Sequence, residues 1–103
     1  MLEKIAAFAA LHASQAPTAP ARFMVTDSEA LQVAAEATLA GQKFRNPIGE
    51  VAADLEAALK EPPPTETDAL VAWATRVGAA SRAFWDAFAG EVINGVEIIR
   101  KPQ

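Results

Sequence analysis

Apolar residues at helical spacing mark the first stretch of the chain. They predict a helix from about Leu2 to Ser14, with one broad face for docking onto the rest of the fold. That face consists of Leu2, Ile5, Phe8 and Leu11. The prolines between Ala16 and Pro20 lack the backbone donor that a helix needs, so we predict a connector there.

A short β-prone run and a capping signal follow the connector. Arg22 to Val25 is predicted to form an extended strand. Thr26 and Glu29 have the spacing of a capping box, in which each side chain accepts a hydrogen bond from the other residue's amide. This cap predicts a second helix to about Ala40, with Gly41 in the left-handed conformation that often follows a helix.

A third helix is predicted after the pair Asn46-Pro47. Asparagine caps helices well and proline suits the first helical position, so this pair is typical of a helix start. The run Pro62 to Pro64 ends the helix. Its apolar stripe consists of Ile48, Val51, Ala52, Leu55 and Leu59.

The last helix is predicted to run to about Ala89, and Thr65 to Asp68 supply a cap and acidic residues at its positive end. It carries the broadest apolar face of the sequence, and Gly78 within that face predicts a close crossing with another helix. The face comprises Leu70, Val71, Trp73, Ala74, Val77, Gly78, Ala80, Ser81, Phe84, Trp85 and Phe88.

The C-terminal run admits two interpretations. Asn94-Gly95 between apolar residues predicts a hairpin, because a type I′ turn needs two residues that tolerate positive φ. Alternatively, the last helix extends through Ile93 and this pair caps it. In both cases Val96 to Arg100 is extended, and Arg22 to Val25 is its expected partner in a two-stranded sheet. The predicted fold is mainly α, a compact bundle of about four helices in a single domain, residues 1–103.

Composition narrows the possible functions. The net charge of −4 argues against a nucleic-acid partner, and no apolar run is long enough for a membrane span, so we expect neither nucleic acid nor membrane as a partner. The sequence has no cysteine, which excludes thiolate chemistry and fits a cytoplasmic location. The N-terminal stretch resembles a signal peptide only weakly, because Glu3 stands beside Lys4.

Catalytic and metal-binding patterns are not found in the sequence. His12 is the only histidine and is interpreted as a partly exposed helical residue. Glu50 and Asp54 share a helix face but lie opposite the apolar stripe, on a side expected to be solvated, whereas a general acid or base needs an apolar pocket. We therefore expect no catalytic residue, no metal site and no cofactor. A helix-turn-helix interpretation fails, because the helix after Pro47 would present carboxylates to DNA.

Protein binding is the function that the sequence favours. Trp85 lies at the edge of the apolar face, where a small domain need not cover it, and Val96, Ile98 and Ile99 put apolar side chains on both faces of a strand. Lys43-Phe44-Arg45 is a secondary candidate patch.

We therefore expect a noncatalytic adaptor, inhibitor or assembly subunit that binds another protein or itself as a homo-oligomer. Small acidic helical proteins of this kind are common among accessory proteins of bacteria and phages. Two alternatives stay open. One is a small-molecule-binding domain or minor enzyme subunit with a pocket near Gly78, between Trp73 and Trp85. The other is an acidic mimic of nucleic acid that uses Glu50, Asp54, Glu56 and Glu61.

Overall fold

The computed structural model describes residues 1–15 and 21–102, so the predicted connector at 16–20 lies outside the described residues. Within them the protein is mainly α, with short C-terminal strands, as the sequence predicts. The helices are α1 (Leu2–Ser14), α2 (Asp27–Leu39), α3 (Gly49–Lys60) and α4 (Thr67–Phe88), and the strands are β1 (Arg22–Val25), β2 (Val92–Ile93) and β3 (Val96–Arg100).

The protein divides into two compact units. Unit 1 comprises residues 1–45 and 89–103, and unit 2 comprises residues 46–88. Unit 1 therefore contains α1, α2 and all three described strands, whereas unit 2 contains α3 and α4. Unit 2 is inserted into unit 1, because the backbone passes from unit 1 to unit 2 after Arg45 and returns at Ala89.

The sheet of unit 1 has the strand order β1-β3-β2. β3 lies in the middle, parallel to β1 and antiparallel to β2. In the parallel pair Arg22 stands beside Glu97 and Phe23 beside Ile98. The predicted pairing of the two segments is confirmed, but the sheet has three described strands rather than the two expected.

The turn at Asn94-Gly95 decides between the two interpretations of the C-terminal run. α4 ends at Phe88, and β2 and β3 form a hairpin with Ile93 opposite Val96. Asn94 has φ 53° and Gly95 has φ 78°, which is the positive-φ pair that a type I′ turn requires. The hairpin prediction is confirmed, and the extension of the helix through Ile93 is wrong.

A capping box starts α2, as the sequence predicts. The Thr26 hydroxyl accepts a hydrogen bond from the Glu29 amide at 3.2 Å, and the Glu29 carboxylate accepts one from the Thr26 amide at 2.9 Å. Gly41 follows the helix with φ 86°, the left-handed conformation expected after its C-cap. The entry and the exit of α2 are thus set by local sequence.

The core of unit 1 lies between the helices and one face of the sheet. α1 contributes Ile5, and the Phe8 ring lies edge-on to the Phe23 ring at 5.3 Å between centroids. Leu11, which the sequence assigns to the docking face of α1, is largely exposed. The buried apolar residues of the unit are Ile5, Ala21, Val25, Ala30, Val33, Ala34, Ala37, Ile93, Val96 and Ile98.

Unit 2 begins differently from the sequence prediction. α3 starts at Gly49, and its N-cap is Ile48, whose side chain makes no hydrogen bond to the helix end. The expected start at Asn46 is wrong, because the Asn46 side chain is used elsewhere: its Nδ2 donates to the Ala87 carbonyl at 3.0 Å. From the predicted stripe of α3, Leu55 is buried, whereas Leu59 is partly exposed.

α4 buries only the C-terminal half of its apolar face. Phe84 and Phe88 are buried and their rings stack at 5.0 Å between centroids, whereas Leu70 and Val71 near the start of the helix are exposed. The predicted close crossing at Gly78 is wrong, because a Cβ added there would meet no atom within 4 Å. A glycine in an apolar face therefore does not mark a helix contact in this unit.

Candidate protein-interaction surface

The face of the sheet that points away from the core of unit 1 is the principal candidate surface. Side chains alternate between the two faces of a strand, so the buried residues of β1 and β3 place their neighbours on this outer face. We call it the outer sheet face. It consists of Arg22, Met24, Val92, Glu97 and Ile99.

Three of these five side chains are apolar, and they remain accessible. Met24 is 57% exposed and Val92 is 53% exposed, while Ile99 on the central strand is partly exposed. The strand register places Met24 directly beside Ile99. The register places Val92 beside Glu97, so the apolar part of this face is the pair Met24 and Ile99, and Val92 lies across Glu97 on the other edge strand.

An ion pair borders the apolar residues. Arg22 Nε lies 3.0 Å from Glu97 Oε1, and these two residues are register partners across the parallel strands. The Arg22 side chain is mostly exposed, so the pair contributes little to stability, about 0 to 1 kcal/mol. The pair places two opposite charges next to Met24, so this part of the outer sheet face carries no net charge.

The two edges of the sheet differ. The edge at β2 is short, and the Gln42 side chain already donates to the Val92 carbonyl at 3.1 Å. β1 uses the carbonyls of Ala21 and Val25 to bind β3, so the intervening backbone groups of Met24 point to the opposite side. Among the described residues no other strand pairs with that side of β1.

The sequence-predicted contact residues fall into two groups. Val96 and Ile98 are completely buried on the core side of the sheet, and Trp85 in unit 2 is 6% exposed. These three side chains are therefore covered within the protein, and their role in partner binding stays a prediction. Ile99 is the member of the predicted strand surface that lies on the outer sheet face. Trp85 instead belongs to an aromatic cluster, with its ring 5.5 Å from the Phe84 ring.

In the secondary patch at Lys43, Phe44 and Arg45, the arginine holds parts of unit 1 together. Lys43 is exposed and Phe44 is half-buried. The Arg45 amide and its Nε both donate to Glu91 Oε2, at 3.0 and 3.4 Å. A second guanidinium nitrogen of Arg45 donates to the Ala89 carbonyl. Arg45 therefore binds the segment in which the backbone returns to unit 1.

Sequence reasoning missed Met24, Val92 and Glu91. The alternation in Arg22-Phe23-Met24-Val25 could have indicated Met24, because a strand that buries Val25 turns Met24 to the other face. Glu91 had a weaker signal, as a carboxylate next to an apolar strand. No local pattern connects it with Arg45, which lies 46 residues away.

Two carboxylates of unit 1 have perturbed acidity. Hydrogen bonds from the Thr26 amide and hydroxyl lower the pKa of Glu29. The pKa of Glu36 is lowered first by a hydrogen bond from the Met1 amino group, which lies 3.1 Å from Oε1. Both carboxylates are engaged in structural contacts, Glu29 with the start of α2 and Glu36 with the Met1 amino group.

Other features of the described residues suggest little chemistry. No group of three or more His, Asp or Glu side chains within 1–15 and 21–102 could hold a metal ion. His12 is half-buried on α1, with its ring stacked on the Phe8 ring. An open cleft of about 260 Å³ lies at the start of α2, but its polar groups serve the capping box and an ion pair of Asp27 with Arg100. Its lining consists of Thr26, Asp27, Ser28, Lys101 and Pro102.

The acidic residues of unit 2 are partly neutralised. Lys60 Nζ lies 2.8 Å from Glu56, and Arg76 lies 2.6 Å from Glu61. Glu50 is exposed on α3. The carboxylates considered for a nucleic-acid mimic thus include two that already have a basic partner.

None of the helices in the described part of the protein combines the length and the apolar character needed to cross a bilayer. Comparison with known proteins gives no match, since no family model, no curated protein and no solved structure is significantly similar to this sequence.

Proposed function

We propose that this protein is a noncatalytic protein-interaction module that binds a partner protein through the outer sheet face and the free side of β1. The observation that carries the proposal is the exposure of Met24 beside Ile99, together with the exposure of Val92 on the other edge strand. Contiguous exposed apolar side chains on a small protein are typical of a contact site. We place this interaction in the cytoplasm, in keeping with a sequence without cysteine.

The partner that fits this surface is an extended segment of another protein, added beside β1 as a further strand. The backbone groups of Met24 on that side supply hydrogen bonds, and β2 offers no equivalent because Gln42 already binds its Val92 carbonyl. In strand addition the backbone supplies affinity and alternate side chains supply specificity. A partner strand would place every second side chain beside Met24 on the outer sheet face.

Two substitutions at one position test the contact in different ways. Met24→Pro removes the amide that points away from β3, and an edge strand tolerates this change better than a central one. Met24→Asp keeps the amide but puts a charge among apolar residues. Leu39→Asp is the matched control, because Leu39 is almost fully exposed on α2 in the same unit.

The experiment compares capture of a stoichiometric partner by the tagged protein and by these three variants, each shown to be folded by circular dichroism. We expect both Met24 variants to lose the partner and Leu39→Asp to retain it. Retention by both Met24 variants would contradict the proposal. Self-association measured by light scattering and abolished by Met24→Pro would replace the proposed occupant with a second copy of the protein.

Salt dependence distinguishes this proposal from the nucleic-acid mimic. A contact dominated by apolar side chains and backbone hydrogen bonds is only weakly screened by salt, whereas binding through exposed carboxylates weakens steeply. Affinity for the captured partner should therefore change little between low and high salt. A steep loss of affinity at high salt, together with a loss of affinity in Glu50→Gln, would favour the nucleic-acid mimic.

A further inference from the structure

We infer that Asn94 is a site of spontaneous deamidation and that its isoaspartate product opens the hairpin between β2 and β3.

The sequence has two asparagines, and only one is followed by a residue whose backbone nitrogen can attack the side-chain amide. Deamidation begins when the backbone nitrogen of the next residue attacks the asparagine Cγ. Asn46 precedes Pro47, whose nitrogen carries no hydrogen and cannot lose a proton. Asn94 precedes Gly95, which has no side chain to hinder the attack. Asn46 therefore serves as an internal control in the same molecule.

The position in the turn leaves the reacting groups accessible. Asn94 and Gly95 are both exposed, and nothing lies within 4 Å of a Cβ added to Gly95. The ladder closes at Ile93 and Val96, so the Gly95 amide lies in the two-residue loop beyond it. β2 has only two residues, and short terminal pairings of this kind open locally at low free-energy cost.

The reaction balances with water as the only co-reactant. The Gly95 amide loses its proton and its nitrogen bonds to Asn94 Cγ, while the bond from Cγ to Nδ2 breaks and ammonia leaves. Water then adds to one of the two carbonyls of the resulting succinimide. Breaking the new bond gives aspartate, whereas breaking the original peptide bond gives isoaspartate.

The two products affect the hairpin differently. Aspartate adds one negative charge in an exposed turn and keeps the backbone path, which aspartate tolerates in type I′ turns. Isoaspartate adds a methylene to the backbone between Ile93 and Val96. Both of these side chains are buried, so the turn cannot lengthen without displacing one of them or breaking the pairing.

The test is prolonged incubation of the intact protein at mildly alkaline pH, followed by peptide mapping with mass spectrometry. We expect conversion of Asn94 to aspartate and isoaspartate, and an intact amide at Asn46. Isoaspartate-containing molecules should exchange the backbone amides of β3 faster than Asn94→Asp molecules, which carry the same charge on a normal backbone.

Two results would overturn the inference. Asn94 could keep its amide over an incubation in which urea-unfolded protein loses it, which would show that the closed turn blocks the attack. Equal exchange rates for the isoaspartate form and Asn94→Asp would show that the extra methylene does not open the hairpin.

Discussion

Removing the Arg45 guanidinium should destabilise unit 1, because it deprives a buried carboxylate of part of its compensation. Glu91 is only 4% exposed at its side chain, and its Oε2 accepts from Arg45 Nε at 3.4 Å and from the Arg45 amide at 3.0 Å. Arg45→Ala keeps the hydrogen bond from the backbone amide and removes the one from Nε, together with the guanidinium contact to the Ala89 carbonyl. A hydrogen bond to a charged group contributes about 1.5 to 3 kcal/mol. The Arg45 side chain is 61% exposed, so we expect the lower part of that range, about 1.5 to 2 kcal/mol.

The measurement needs a probe for each unit. Both tryptophans, Trp73 and Trp85, lie in unit 2, so their fluorescence reports on that unit in urea denaturation. Hydrogen exchange of the β3 amides reports on unit 1. Arg76→Ala is the matched control, since the Arg76 pair with Glu61 is exposed on both sides and should contribute at most about 1 kcal/mol.

The energetic coupling between Arg45 and Glu91 tests whether their contact causes the loss of stability. In a double-mutant cycle Arg45→Ala and Glu91→Gln should show a coupling of about 1 kcal/mol or more, as residues in one hydrogen-bonded network do. A coupling near zero, or a loss on Arg45→Ala no larger than that on Arg76→Ala, would refute the reasoning that burial of Glu91 makes this pair important.

Two further predictions concern unit 1. Gly90 and Gly41 both have positive φ, but of the two only Gly90 would place an added Cβ against a neighbour, Arg45 Nη2 at 3.0 Å. Gly90→Ala should therefore lower the free energy of unfolding by more than the roughly 1 kcal/mol expected for Gly41→Ala. Equal losses in urea denaturation would show that the contact with Arg45 is unimportant. The lowered pKa of Glu36 contributes stability that is present above its ordinary value of 4.5 and is lost as the pH falls through the folded-state value, because protonation breaks the contact with the Met1 amino group. Urea midpoints measured from neutral to acid pH should fall less steeply for Glu36→Gln than for the unsubstituted protein, and parallel curves would contradict this assignment.

The sequence predicted those elements whose signals are local. Thr26 and Glu29 lie three residues apart and form the predicted cap, and Asn94-Gly95 forms the predicted turn. Asn46-Pro47 carries an equally clear local signal, yet α3 begins at Gly49. The difference is that the Asn46 side chain binds a carbonyl 41 residues away, a competing contact that no sequence window contains.

The candidate surface was less predictable than the fold. Alternation in β3 indicated that its two faces differ, but not which face is covered, because that depends on where the helices of unit 1 pack. The outcome is that Val96 and Ile98 are buried whereas Ile99 lies on the outer sheet face. Trp85 shows the same limit, since a residue at the margin of a helical apolar face is exposed or buried according to its tertiary neighbours.

The parallel pairing of β1 with β3 has a consequence for the order in which the molecule is made. Arg22 and its partner Glu97 are 75 residues apart, so a ribosome finishes β1 long before its neighbour exists. The helical hairpin of α3 and α4 depends on contacts close in sequence and can form first, whereas the loop closure that brings β3 to β1 is slow. During that interval both sides of β1 lack a strand, and the nascent protein is most exposed to mispairing with another copy.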